Sequence, residues 1–182
     1  VEKYAERIDA MGVKGNAILG LITLAAFIGC GLMAQAQESQ VDYDGFVDLS
    51  AEISDYRSSR LVDLDTFNEM KADSDTIILD TRSAEAYRLG HIDGAAHLNF
   101  SDFTDDKLAQ LIPSKDTRIL IYCNNNFTDN VAPVPVKRIE LALNVPTFIN
   151  LYGYGYENIY ELDGAYPLAE PAIHWVGEVS PL

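Results

Sequence analysis

Residues 76–95 read TIILDTRSAEAYRLGHIDGA. The run opens on a compact, β-branched apolar stretch at residues 76–80, short enough for a buried strand rather than a helix. Ser83 stands where an N-cap belongs and Gly90 where a helix stops, so the spacing predicts a short helix between them. Upstream, residues 61–62 form a short strand, and Asp63 caps a helix over 64–71, with Val62 and Phe67 placed as a hydrophobic staple. Downstream, residues 95–98 form another short strand. Thr104 caps a helix over 105–112, with Asp105 and Asp106 in the first turn where the helix dipole favours them. Residues 118–122, RILIY, are the clearest central strand, and 158–162 the last. The long segment between them, 123–155, is expected to hold a helix within 136–143. Strands alternating with helices in this way predict an α/β fold with a central, mainly parallel sheet.

Composition narrows the function. The 182 residues suit one domain, and 48% hydrophobic with 23% charged residues describe an ordinary globular core. Thirteen Lys+Arg against 28 Asp+Glu give a net charge of −15, which repels a phosphate backbone and makes nucleic acid an unsuitable partner. Two cysteines exclude a disulfide-stapled scaffold. Residues 17–36, AILGLITLAAFIGCGLMAQA, carry no charge, follow Met11 and Lys14, and end on a small-x-small exit. Residues 1–36 are therefore expected to be upstream residues plus a secretory signal peptide starting at Met11, which makes the working protein periplasmic or secreted. A lipid anchor at Cys30, within a lipobox-like FIGC, and a retained membrane anchor are the alternatives. Residues 37–60 form an acidic extension with one short helix at 50–57, and residues 171–182 a C-terminal tail. Cleavage before Gln37 leaves the charge at −15 and Cys123 as the lone thiol in an oxidising compartment.

Cys123 directly follows the best strand, and open α/β sheets bind ligands beyond the carboxyl ends of their strands. Two readings of it stand at this point: a buried strand-end cysteine, and a nucleophile. Asn124, Asn125 and Asn126 tolerate left-handed backbone, so consecutive amides there are expected to form an anion-binding nest that stabilises a thiolate or persulfide.

The chain then shows Asp80-Thr-Arg82, Glu85-Ala-Tyr87, Gly90-His-Ile-Asp-Gly-Ala95, Arg118-Ile-Leu-Ile-Tyr-Cys123 and Gly155-Tyr-Glu-Asn-Ile-Tyr-Glu-Leu-Asp-Gly164. In this order and spacing it resembles the rhodanese-like family of sulfurtransferase domains over about residues 60 to 168. The resemblance implies a three-layer domain over 61–170, its central parallel sheet flanked by helices. It also implies that Cys123 takes up sulfane sulfur as a persulfide without a cofactor, within an active-site loop Asn124, Asn125, Asn126, Phe127 and Thr128. Asp80 and Arg82 match positions that hold this loop through a local ion pair.

The segment after Cys123 departs from the family pattern. It has no Gly and no basic residue before Lys137, whereas family loops usually carry an Arg close to the Cys. An Arg helps bind anionic donors, so a persulfide or polysulfide donor is expected over thiosulfate, and a phosphate-clamping Cys-phosphatase is disfavoured. The interval to Gly155 is longer than usual and contains Pro133, Pro135 and Pro146, which exclude a single long helix. Lys137 and Arg138 are the nearest residues able to replace the missing cation. His91 is read as structural, Tyr152, Tyr154 and Tyr156 as edge packing, and no spacing suggests a metal. The expected partners are a small sulfur donor and a thiol acceptor. The competing reading is a non-catalytic rhodanese-fold module that binds a protein in the envelope.

Overall fold

The computed structural model describes residues 38–178. The expected leader, its start at Met11 and the Cys30 anchor site lie outside these residues. Among the described residues no helix is long and apolar enough to cross a membrane.

The elements run α1 (Tyr43–Glu52), α2 (Ser54–Ser58), β1 (Leu61–Val62), α3 (Leu64–Lys71), β2 (Thr76–Asp80), α4 (Ala84–Leu89), β3 (His91–Ile92), β4 (Ala96–His97), α5 (Asp105–Leu111), β5 (Arg118–Tyr122), α6 (Asn144–Gly153), β6 (Ile159–Leu162) and β7 (Trp175–Val176). Helix starts follow the capping residues. Asp63 accepts from the Thr66 amide, Ser83 from Ala86 and Thr104 from Lys107, each satisfying an amide that has no intrahelical partner. β1-β6-β5-β2-β4 form one parallel sheet with β5 at its centre, and β3 pairs with β7 antiparallel.

Period-2 alternation sorts the strand side chains onto two faces. Leu79, Ile119, Ile121 and Ile159 pack with Leu108 and Ile112 near α5, with Phe148 and Leu151 of α6, and with Ile53 between α1 and α2. Ile78, Leu120, Tyr122 and Leu162 pack with Leu64 and Phe67 of α3 and with Ile92 and Ile173. The expected three-layer α/β architecture is present.

Three expectations are corrected. The extension holds two helices broken at Ile53, not one over 50–57, because Ile53 turns into the core and ends α1. No α-helix forms within 136–143, where the chain makes only a 3-10 turn at Ile139–Leu141. The Val136 and Lys137 amides are taken by the side chains of Asn130 and Asn125, which diverts that backbone from helical bonding. The helix begins instead at Asn144, and Pro146 is harmless in its first turn, where amides lack intrahelical partners. Residues 171–176, expected as tail, are folded in: Ile173 is fully buried and β7 completes the second, two-stranded sheet.

Gly90 ends α4 against β7, and a Cβ there meets Cε2 and Cζ2 of the Trp175 indole at 2.5 Å. Gly90→Ala is expected to destabilise the fold by about 1–3 kcal/mol, the range for overpacking a filled site. Urea unfolding should show a lowered midpoint with an unchanged slope.

Candidate active site

β5 delivers Cys123 to the carboxyl edge of the sheet between β2 and β6, where the residue is 1% exposed. The chain then folds into a 3-10 turn over Asn124–Asn126, with the Asn126 amide donating to the Cys123 carbonyl at 3.1 Å. The expected left-handed loop is absent: among described non-glycine residues only Asn130 and His174 have positive φ. Right-handed turning suffices because the three asparagines work through their side chains.

Asn126 accepts from the Cys123 amide at 2.9 Å and donates to the carbonyls of Leu162 and Gly164 at 2.7 and 3.0 Å. It thereby locks the cysteine to the end of β6. Asn124 donates to the Pro135 carbonyl at 3.0 Å. Asn125 grips the Lys137 backbone at both its carbonyl and its amide, at 2.8 and 3.1 Å. The long segment after the turn is thus folded back over the cysteine as a wall.

Between that wall and the β2–α4 connection lies a pocket of about 380 Å³, lined by Cys123, Asn124, Asn125, Pro133, Pro135, Lys137 and Leu143 on one side and by Thr81, Arg82, Ser83, Asn99 and Ser101 on the other. Two cations and no carboxylate line it among the described residues, in a molecule of net charge −15. Lys137 makes no ion pair with a described residue. Lys137 therefore brings to the pocket a cation that the turn after Cys123 does not itself carry. Arg138 is not among the lining residues, and neither are Phe127 and Thr128. Phe127 is buried edge-on against Tyr122 and Trp175, while Thr128 is exposed and bonds its amide to the Tyr166 carbonyl. These two leave the site because the strand-like Phe127–Tyr166 bridge carries the backbone away from the sulfur.

Burial pushes the Cys123 thiol up, and the charge of Glu161 adds to it; the backbone amides of Asn144, Asn125 and Leu143 oppose both. The outcome lies above the ordinary value, so the resting thiol is protonated at neutral pH. The amide cluster expected to depress it is present, but it is outweighed by burial. Leu143 and Asn144 open α6, so part of that cluster comes from a helix about twenty residues further along the chain.

Asp80 and Arg82 form the expected ion pair, 2.6 Å apart and almost fully buried. Arg82 also donates to the Gly90 carbonyl at 2.7 Å and makes a long 3.4 Å contact to the Asn124 side-chain oxygen. Its guanidinium lies over the rings of Tyr122 and Trp175. Burial and the Asp80 charge drive the Tyr122 phenol well above its ordinary value, so it stays protonated and donates to Asp80 at 2.6 Å. His91 stacks on Tyr87 and hydrogen-bonds its carbonyl, in keeping with a structural role.

Sequence reasoning missed Leu143, Asn144, Glu161 and Arg57. Pro146, in the first turn of α6, is the one signal from which the helix start at Asn144 was readable.

Residues 63–168 match the family model described as rhodanese-like domain. The chain is 32% identical over 98 residues to a tRNA uridine(34) hydroxylase of Bdellovibrio bacteriovorus, covering 52% of this chain and 23% of that protein. It thus spans about a quarter of that relative's length. Among solved structures it is similar to the rhodanese-like domain of an Anabaena protein, at 24% identity and a TM-score of 0.35 over 50% of this chain and 78% of the other. It is also similar to the polysulfide-sulfur transferase homodimer of Wolinella succinogenes, at 15% identity and a TM-score of 0.37 over 65% and 79%.

Two outcomes are expected. Arg82→Gln strands Asp80 in the core and should cost about 3–5 kcal/mol in urea unfolding, the range for breaking a buried ion pair. Alkylation of Cys123 should keep accelerating with pH beyond the point where an ordinary thiol of pKa about 8.5 has levelled off.

Proposed function

The chain belongs to the rhodanese-like domain family, and from that premise we propose that it is an exported sulfur carrier working through a Cys123 persulfide. The observation that supports this reading most directly is the placement of the Cys123 sulfur in a pocket with two cations and no described carboxylate, among backbone amides that favour an anion.

In the first step the Cys123 thiolate attacks the outer sulfur of a sulfane donor. A Cys123 Sγ–S bond forms, the donor's S–S bond breaks, and its electron pair leaves with a thiolate or sulfite. The thiol proton passes to the leaving group or to water. In the second step an acceptor thiolate attacks the outer sulfur of the persulfide, and Cys123 departs as the thiolate. Neither step requires a cofactor. The amides of Asn125, Leu143 and Asn144 stabilise the anionic sulfur, while Lys137 attracts an anionic donor. Persulfide, polysulfide and thiosulfate donors are all admitted, because Lys137 supplies the charge that the turn itself lacks. The tRNA chemistry in the Bdellovibrio relative's name is not carried over, since the shared segment is 23% of that protein and a net charge of −15 opposes nucleic acid.

One observation favours a second reading, that of a partner-binding module in the envelope. Ile139 and Leu141 stand 77% and 67% exposed on the segment that walls the pocket.

Intact and peptide mass of the full chain after incubation with polysulfide, thiosulfate or a persulfide donor decides between the readings. The expected result is one added sulfur on Cys123, removed by a thiol and absent in Cys123→Ser. Lys137→Gln should slow loading from thiosulfate about tenfold, the worth of one charge-assisted contact of about 1.5 kcal/mol. No adduct from any donor, together with partner capture that survives Cys123→Ser but needs Ile139 and Leu141, would transfer the assignment to the binding module.

A further inference from the structure

Arg57 lies in α2, outside the residues that match the family, yet it is joined to the cysteine by an unbroken chain of hydrogen bonds. Its Nε and Nη2 donate to the two carboxylate oxygens of Glu161 at 2.8 and 2.7 Å, a forked geometry that a lysine does not reproduce. Glu161 sits on β6 beside Ile121, with its side chain 8% exposed. Asn144, buried at the start of α6, spends both amide protons at this junction. One goes to Glu161 Oε1 at 3.2 Å and the other to Asn126 Oδ1 at 3.0 Å. The same Asn126 oxygen accepts from the Cys123 backbone amide at 2.9 Å.

A buried carboxylate in a parallel strand is costly unless it is paired. Glu161 is paired by a residue from the extension, and through Asn144 it orients the first turn of α6, whose amides face the sulfur. We propose that the extension is a working part of the Cys123 site, and that Arg57 is a positioning residue acting on the sulfur through Glu161 and Asn144. The inference takes its functional meaning from the sulfur-carrier reading.

The direction follows from the charges. The charge of Glu161 acts on the sulfur from β6, Arg82 at the β2–α4 connection and Lys137 on the pocket wall line the same pocket, and the first turn of α6 carries no charge. Arg60, next to Glu161 through a backbone hydrogen bond, turns its own charge onto Tyr56 and Tyr160. Arg57 is therefore the cation that offsets Glu161. Removing Arg57 leaves the thiolate near an uncompensated carboxylate, and removing the Glu161 charge takes away the repulsion that remains in the pair.

The test is the pH profile of peptide-resolved alkylation at Cys123 in the full chain. Glu161→Gln, which still accepts from Asn144, should move the midpoint down by about one pH unit, or about tenfold faster reaction below the midpoint. Arg57→Gln should move it up by about as much, and Arg57→Lys should restore much of the shift. Glu161→Gln added to Arg57→Gln should bring the midpoint back down. Purely structural roles would lower stability without shifting the profiles in opposite directions. Superimposable profiles in folded Glu161→Gln and native protein overturn the proposal, and that variant suffices where Arg57→Gln does not fold. Sulfur loading by mass on the same samples separates the two readings: shifted profiles without loading refute the sulfur carrier alone, and loading with unshifted profiles refutes this inference alone.

Discussion

The buried pair of Asp80 and Arg82 is the constraint on which the rest of the site depends. Taking two charges out of water costs several kcal/mol per ion, and the loss is offset only where every remaining donor and acceptor finds a partner. Here the partners come from five places: the end of β2, the Gly90 turn, the Asn124 side chain, the Tyr122 hydroxyl and the faces of two aromatic rings. Satisfying this one ion pair therefore fixes the relative positions of β2, β5, α4 and β7. The cysteine one residue beyond Tyr122 inherits that rigidity.

A second layer of order comes from amides rather than charges. Asn124, Asn125 and Asn126 follow the cysteine in succession, yet each side chain reaches a different distant backbone. This converts a long proline-containing segment from a surface loop into a pocket wall, and it brings Lys137 to a pocket whose other cation among the described residues, Arg82, is paired with Asp80. The same enclosure raises the thiol above its ordinary value. A protonated, buried cysteine resists oxidation, which suits a lone thiol in the exported protein proposed here. Enclosure and reactivity thus pull in opposite directions, and the amides of the opening turn of α6 offset the burial only in part.

The elements legible in the sequence were those governed by neighbours in the chain. The strands at 76–80 and 118–122 carry their own apolar density, and Asp63, Ser83 and Thr104 cap helices through amides three residues away. Cys123 and the Asp80–Arg82 pair were legible because motif spacing places them. The helix expected within 136–143 was not, because side chains of Asn125 and Asn130, outside that window, withdraw its amides from helical bonding. Phe127 and Thr128 left the site for a similar reason: a bridge to Tyr166, far along the chain, redirects their backbone.

Local sequence by itself determined the α/β order, the capped helices, the acidic surface and the position of the thiol at a strand end, since each rests on contacts within a few residues. Tertiary structure alone decided that Arg57 reaches Glu161, that Asn144 bridges it to Asn126, and that Lys137 and Cys123 line one pocket. These contacts join residues far apart in the chain, where no periodicity or cap links them. Only the folded sheet and its helices bring Arg57, Glu161, Asn144 and Asn126 within hydrogen-bonding distance.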